Sequence, residues 1–218
     1  MKMKDAITAA LNYMKSRHEG DRSGHDVAHV LRVRHLALEI AQHYPLANCF
    51  IIEMAALLHD TVDDKLVDSI TAHQELEQFL HLHKVPSDDQ QAIFYIIDHM
   101  SFRKSNSVGT LNTIEAQIVQ DADRLDAMGA IGIARTFQFA GHFNEPMWTG
   151  EYTLKQLKEL EDVSHLPPSA IKHFYEKLLK LKDLMNTQTA RQMAEKRHAF
   201  LELFLTQFMA EWLSDIHH

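Results

Sequence analysis

Turn-forming residues are too scarce in this chain for a sheet protein: its 218 residues contain 7 glycines and 5 prolines. Sheets need many tight turns, and tight turns depend on those two residues for their backbone angles. Long helices joined by few loops need far fewer. Apolar residues make up 45% of the sequence, enough to bury a sizeable core. The expected fold class is therefore all-α.

Helical spacing marks out the elements. Met3, Ile7, Ala10, Leu11 and Met14 predict a helix over about 3–17. A second helix, over about 26–43, carries His29, Val33, Leu36 and Ile40 on one stripe, so His29 faces the core. Asn48 is placed to cap a third, Phe50 to His59, which is apolar almost all round and should be central and buried. Helices near 68–83 and 88–100 follow, the second opened by the capping-box pattern Ser87-Asp88-Asp89-Gln90. Thr113 opens a helix that runs to about Phe137. Residues 141–168 read as irregular, and two long helices, about 169–185 and 188–213, finish the chain. These last two have too little core to stand apart, which predicts a single domain over 1–218. Its core would span about 20–140 and its helical extension about 165–215.

The lone Cys49 excludes an intramolecular disulfide and fits a reducing compartment. The longest apolar stretch, Cys49 to Leu58, is interrupted by Glu53 and is too short to span a bilayer. No signal peptide follows Met1-Lys2-Met3-Lys4-Asp5, so a cytoplasmic location without membrane attachment is expected. A net charge of −8 argues against binding nucleic acid polymers. It leaves room for a small anionic substrate met by a local cluster of Lys and Arg.

His59-Asp60 is the sharpest local feature. A carboxylate ending a nearly all-apolar helix is costly to bury unless a cation or metal accompanies it. His29 lies on the apolar stripe of another helix, and Asp121 and Asp123 interrupt the pattern of a third. Two imidazoles with carboxylates suit a divalent ion: Mn, Mg, Fe, Co, Ni or Zn. Helical period leaves the last ligand open, because Asp121 follows Ile118 at i+3 and Asp123 follows Val119 at i+4.

Three segments carry a family likeness: His25-Asp26-Val27-Ala28-His29-Val30-Leu31-Arg32-Val33, Ala55-Ala56-Leu57-Leu58-His59-Asp60, and Ile118-Val119-Gln120-Asp121-Ala122-Asp123-Arg124-Leu125-Asp126. Their order, His29, then His59-Asp60, then Asp123, resembles the HD superfamily of metal-dependent phosphohydrolases. Further stretches, among them His59 to Lys65, Met100-Ser101-Phe102 and His173 to Met185, are similar to a bacterial subgroup that includes a nucleoside triphosphate pyrophosphohydrolase. Val62 departs from the Gly that many members carry there.

The resemblance implies an HD-type helical bundle with the two C-terminal helices packed on it. It implies that His29, His59, Asp60 and Asp123 are metal ligands, with Asp121 supporting them through hydrogen bonds. Hydrolysis of a phosphoester or phosphoanhydride follows, on a small phosphorylated substrate and most readily a nucleotide. Asp63 is the candidate for proton transfer, and Asp64 for support beside it. Lys65, Arg124, Arg32, Arg103, Lys104 and His25 are candidates to contact the phosphates, with Lys177, Lys180 and Arg191 further ones. The same residues allow a phosphomonoesterase, a phosphodiesterase or a silent nucleotide sensor. Long amphipathic terminal helices also allow a homodimer.

Overall fold

The computed structural model describes residues 2–21, 24–62, 69–101, 111–150 and 152–214. In chain order its helices are α1 (Lys2–His18), α2 (Val27–Ala41), α3 (Cys49–Leu58), α4 (Ser69–Leu82), α5 (Ser87–His99), α6 (Ile114–Asp126) and α7 (Gly129–His142). They continue with α8 (Leu154–Glu159), α9 (Ala170–Glu176), a 3-10 helix (Leu178–Leu184) and α10 (Gln188–Ser214). The protein is all-α, with no strand among the described residues. None of the helices searched is long and apolar enough to cross a membrane.

The chain divides into two compact units, Met1–Asp21 with His25–Asp123 and Arg22–Gly24 with Arg124–His218. In the first, α3 is the central element and packs against α1, α2 and α5. Its composition dictates this: every residue from Phe50 to Leu58 except Glu53 is buried, and a helix apolar all round is stable only with neighbours on every side. Asn48 caps it as expected, its side-chain oxygen accepting from the amides of Phe50 and Ile51 at 3.1 and 3.4 Å. Glu53 is matched by Arg34 of α2, whose Nε donates to it at 2.8 Å.

In the second unit α10 packs against α7, α8 and the 3-10 helix, and α9 against α7 and the 3-10 helix. Phe137, Phe174, Phe204 and Phe208 gather there, with ring centroids 5.7–6.3 Å apart.

Three local expectations are corrected. The helix expected from Thr113 to Phe137 is two helices broken at Ala127-Met128. Gly129 adopts φ +67, a left-handed angle that favours glycine. A Cβ on Gly132 would lie 2.2 Å from the Ala127 carbonyl oxygen, so only glycine fits this turn. The stretch expected as one long helix over 169–185 is α9 followed by the 3-10 helix, separated at Lys177 with φ −134. Leu178 and Leu181 are buried in that segment, three apart, which is the spacing that aligns side chains in a 3-10 helix. At the start of α5 the capping box does not form: Pro86 occupies the cap position without a side-chain bond. The Gln90 side chain donates instead through Nε2 to the Val85 carbonyl at 2.7 Å.

Candidate metal centre

Each side chain of the site is placed by the end of a helix. The Asp26 carboxylate caps α2 by accepting from the His29 amide at 2.8 Å, which fixes the first turn that carries His29. His59 and Asp60 follow directly on the last residue of α3. The His59 Nδ1 lies 2.9 Å from the Ala56 carbonyl oxygen. A carbonyl can only accept, so Nδ1 carries the proton and, in the neutral ring, Nε2 keeps its lone pair. Asp123 comes from the last turns of α6.

These side chains converge. His29 Nε2 is 3.2 Å from Asp60 Oδ2 and 3.6 Å from Asp123 Oδ1. His59 Nε2 is 3.3 Å from Asp60 Oδ2 and 4.0 Å from Asp123 Oδ1. The potential ligand atoms of His29, His59 and Asp123 all lie within 4.8 Å of one another. Ligands about 2.1 Å from an octahedral ion stand about 3 Å apart when adjacent and about 4 Å when opposite, so these spacings fit one ion.

The electrostatics fit as well. Among the described residues, His59 Nε2 and Asp60 Oδ2 are buried without a hydrogen-bond partner, close to each other but not aligned to bond. Such orphaned atoms are costly unless something satisfies them. Burial pushes the His59 imidazole down, but the carboxylates of Asp60 and then Asp123 outweigh it and raise its pKa to about 9. Burial pushes Asp60 up, but His59 and then His29 outweigh it and hold the carboxyl well below its usual range. Two carboxylates that draw a proton onto a buried imidazole will also draw a divalent cation.

His18 was missed from the sequence. It is 1% exposed, its Nδ1 lies 2.7 Å from the His25 carbonyl oxygen, and its Nε2 is buried without a partner among the described residues. Burial holds its pKa down, offset in part by the charge of Asp60, which marks its nearness to the cluster. The signal was available: Ala10, Met14 and His18 run along one buried stripe at i, i+4 and i+8.

His25 is half-buried, with its ring centroid 6.0 Å from that of His29. Arg32 is also half-buried. Asp121 is fully buried. Arg124 has another use from the expected phosphate contact: it is 7% exposed and donates through Nη1 to the Leu184 carbonyl at the end of the 3-10 helix. One position along α6 turns its side chain about 100° away from Asp123. Asp63, Asp64, Lys65, Arg103 and Lys104 lie outside the described residues.

A family model for the HD domain matches residues 27–128. YpgQ of Bacillus subtilis (strain 168) is 41% identical over 189 residues, covering 86% of this chain and 84% of YpgQ. The chain belongs to the HD superfamily. Solved structures match along nearly its whole length. A Lactobacillus plantarum protein matches with TM-score 0.82 and 42% identity over 98% of this chain and 100% of its own. YpgQ in complex with ADP matches with TM-score 0.75 and 36% identity over 94% and 97%. An HD-superfamily hydrolase from Bacillus thuringiensis matches with TM-score 0.73 and 39% identity over 96% and 98%. The protein is accordingly an HD-type metal-dependent phosphohydrolase. The matched HD segment encloses His29, His59, Asp60 and Asp123.

Proposed function

We propose that this HD protein hydrolyses a nucleoside triphosphate to the monophosphate and pyrophosphate at a divalent ion held by His29, His59, Asp60 and Asp123. The observation that carries the metal assignment is the convergence of His29 and His59 Nε2 on the Asp60 and Asp123 carboxylates. A nucleotide substrate draws support from YpgQ, which has been crystallised with ADP.

When bound, a divalent ion supplies hydroxide at neutral pH and neutralises charge on the phosphoryl oxygens. The chain does the rest. Ala56 holds His59 in the tautomer that presents Nε2. Asp26 holds the turn that presents His29. Water attacks the α-phosphorus, the bond to the bridging oxygen breaks, and pyrophosphate leaves with the electron pair. Asp63, four residues after His59, takes the proton of the attacking water. Asp64 and Asp121 support the acidic groups beside it. Lys65, Arg103, Lys104, Arg32 and His25 are assigned to the phosphate oxygens.

The test is a product screen over nucleoside mono-, di- and triphosphates with Mn²⁺, Mg²⁺ or Co²⁺. Pyrophosphate with monophosphate is the expected outcome. Orthophosphate from monophosphates would make the protein a phosphomonoesterase, and no turnover with any metal would make it a nucleotide sensor.

A further inference from the structure

His18, the last residue of α1, lies in the same compact unit as His29, His59, Asp60 and Asp123. Hydrogen bonds fold the loop that follows it back onto the helix end. The Asp21 amide donates to the His18 carbonyl at 3.2 Å. The Asp21 carboxylate accepts from the His25 amide at 3.1 Å. The His18 imidazole spans the same loop, its Nδ1 standing 2.7 Å from the His25 carbonyl oxygen. A carbonyl has no proton to give, so Nδ1 donates, and in the neutral ring Nε2 keeps a bare lone pair. That Nε2 is buried and has no hydrogen-bond partner among the described residues.

This lone pair belongs to the neighbourhood of the metal centre. Histidine rings run from His25 to the ligands, with centroids 6.0 Å apart for His25 and His29 and 5.4 Å for His29 and His59. The side-chain charges that act on His18 are those of Asp60, then His59 and His29. The Nε2 atoms of His29 and His59 lie 3.2 and 3.3 Å from Asp60 Oδ2, whereas His18 forms no ion pair with a carboxylate among the described residues. A polar contact between His18 and the centre therefore runs through a water.

We propose that His18 is a positioning residue for the hydrolysis: its Nε2 accepts a hydrogen bond from the attacking water and fixes that water's orientation. The inference rests on the hydrolysis proposed at this centre. The attacking water carries two O–H groups. One gives its proton to the base, assigned to Asp63. The other needs an acceptor that does not compete for that proton. Burial holds the His18 imidazole below its ordinary pKa, against the opposing charge of Asp60, so it accepts a hydrogen bond and leaves the proton in place. Holding the second O–H fixes the direction of the oxygen lone pair, which speeds the chemical step without tightening substrate binding.

Two amide substitutions separate this role from a structural one. In His18→Asn the amide nitrogen takes the place of Nδ1 and keeps the donor to the His25 carbonyl, while the Nε2 acceptor is lost. In His18→Gln the amide oxygen takes the place of Nε2 and keeps the acceptor. The probe is the nucleoside triphosphate turned over fastest in the product screen, with Mn²⁺. His18→Asn is expected to lower kcat about tenfold with KM and Mn²⁺ affinity unchanged, and His18→Gln to recover most of that loss. Equal losses, a loss confined to His18→Gln, or no loss in either would overturn the proposal and leave His18 as a tie between α1 and its loop. Nitrogen NMR of the wild-type chain gives a readout independent of turnover. Mg²⁺ should move the His18 Nε2 resonance upfield as it gains a hydrogen bond, together with the Nε2 resonances of His29 and His59. Movement of the two ligands with His18 unmoved overturns this inference and leaves the metal assignment standing. Movement of none of the three overturns both. Should either substitution lower the melting temperature, the spectra decide alone.

Discussion

Helix α6 contributes neighbouring residues to two buried polar clusters that behave in opposite ways. In the first, Asp123 joins His29, His59 and Asp60, and the groups that face one another are carboxylate oxygens and imidazole nitrogens. In the second, guanidinium donors meet oxygen acceptors. Arg124 donates to the Leu184 carbonyl and Arg197 to the Leu125 carbonyl. Arg135 donates to the Asp126 carboxylate at 2.9 Å and to the Gly24 carbonyl at 3.0 Å. Both clusters place ionisable groups at a helix end, the apolar α3 in the first and the amphipathic α6 in the second. The second joins its helices through these guanidinium–oxygen bonds, although Arg124 Nε is buried without a hydrogen-bond partner among the described residues. Among the described residues, the first leaves His59 Nε2 and Asp60 Oδ2 without a hydrogen-bond partner, and its ligand atoms are spaced for a cation. Whether a buried charge serves function or structure is read from the lone pairs left over, not from the residue type.

The strongest way to break this contrast is to remove a ligand. His59→Ala or Asp60→Ala should lower kcat/KM by about 10³-fold or more and leave the purified protein without stoichiometric metal. Elemental analysis with steady-state kinetics checks both. Full metal occupancy in either variant would end the assignment.

Arg135→Ala should do the reverse. Asp126 is 1% exposed, and removing the Arg135 guanidinium from a buried carboxylate should cost up to about 3 kcal/mol. Urea unfolding measures that loss, while metal content should stay at the wild-type level. Loss of metal together with stability would show that the two clusters are not independent.

Proton competition sharpens the contrast further. In the metal-free chain His59 has a pKa of about 9, above its ordinary 6.5. An ion binding below that pH must displace a proton, so affinity should rise by about tenfold per pH unit toward 9 and level off beyond. The sign for folding is opposite. The raised pKa stabilises the metal-free fold fully below 6.5, and that contribution is lost as pH rises through about 9. Calorimetric Mn²⁺ titrations at about pH 7 and about pH 8.5 check the first statement, and melting of the metal-free chain over the same interval checks the second.

The smallest effect is expected from Asp26→Ala. Loss of the α2 cap should cost about 1 kcal/mol of stability, seen as a modest drop in Tm. Metal affinity should fall more mildly than on loss of a ligand, because His29 is loosened but not removed.

The sequence by itself determined the helices, the central burial of α3 and the interior direction of His29. It also pointed to a cation beside His59-Asp60, since periodicity and the cost of buried charge are properties of one segment at a time. The family likeness was legible too, because its motifs are local. Period alone could not choose between Asp121 and Asp123, for both point inward. Only the packed helices bring Asp123 Oδ1 to 3.6 Å from His29 Nε2. The role of Arg124 was equally invisible, because its partner is a carbonyl 60 residues away. His18 joins the neighbourhood of the site through His25, across a loop whose path no helical period describes. The break before α7 was hidden as well, since the close approach that demands Gly132 exists only once the chain has turned. A helical period states which side of a segment faces inward. What it meets there depends on distances between helices, and only the tertiary fold sets those.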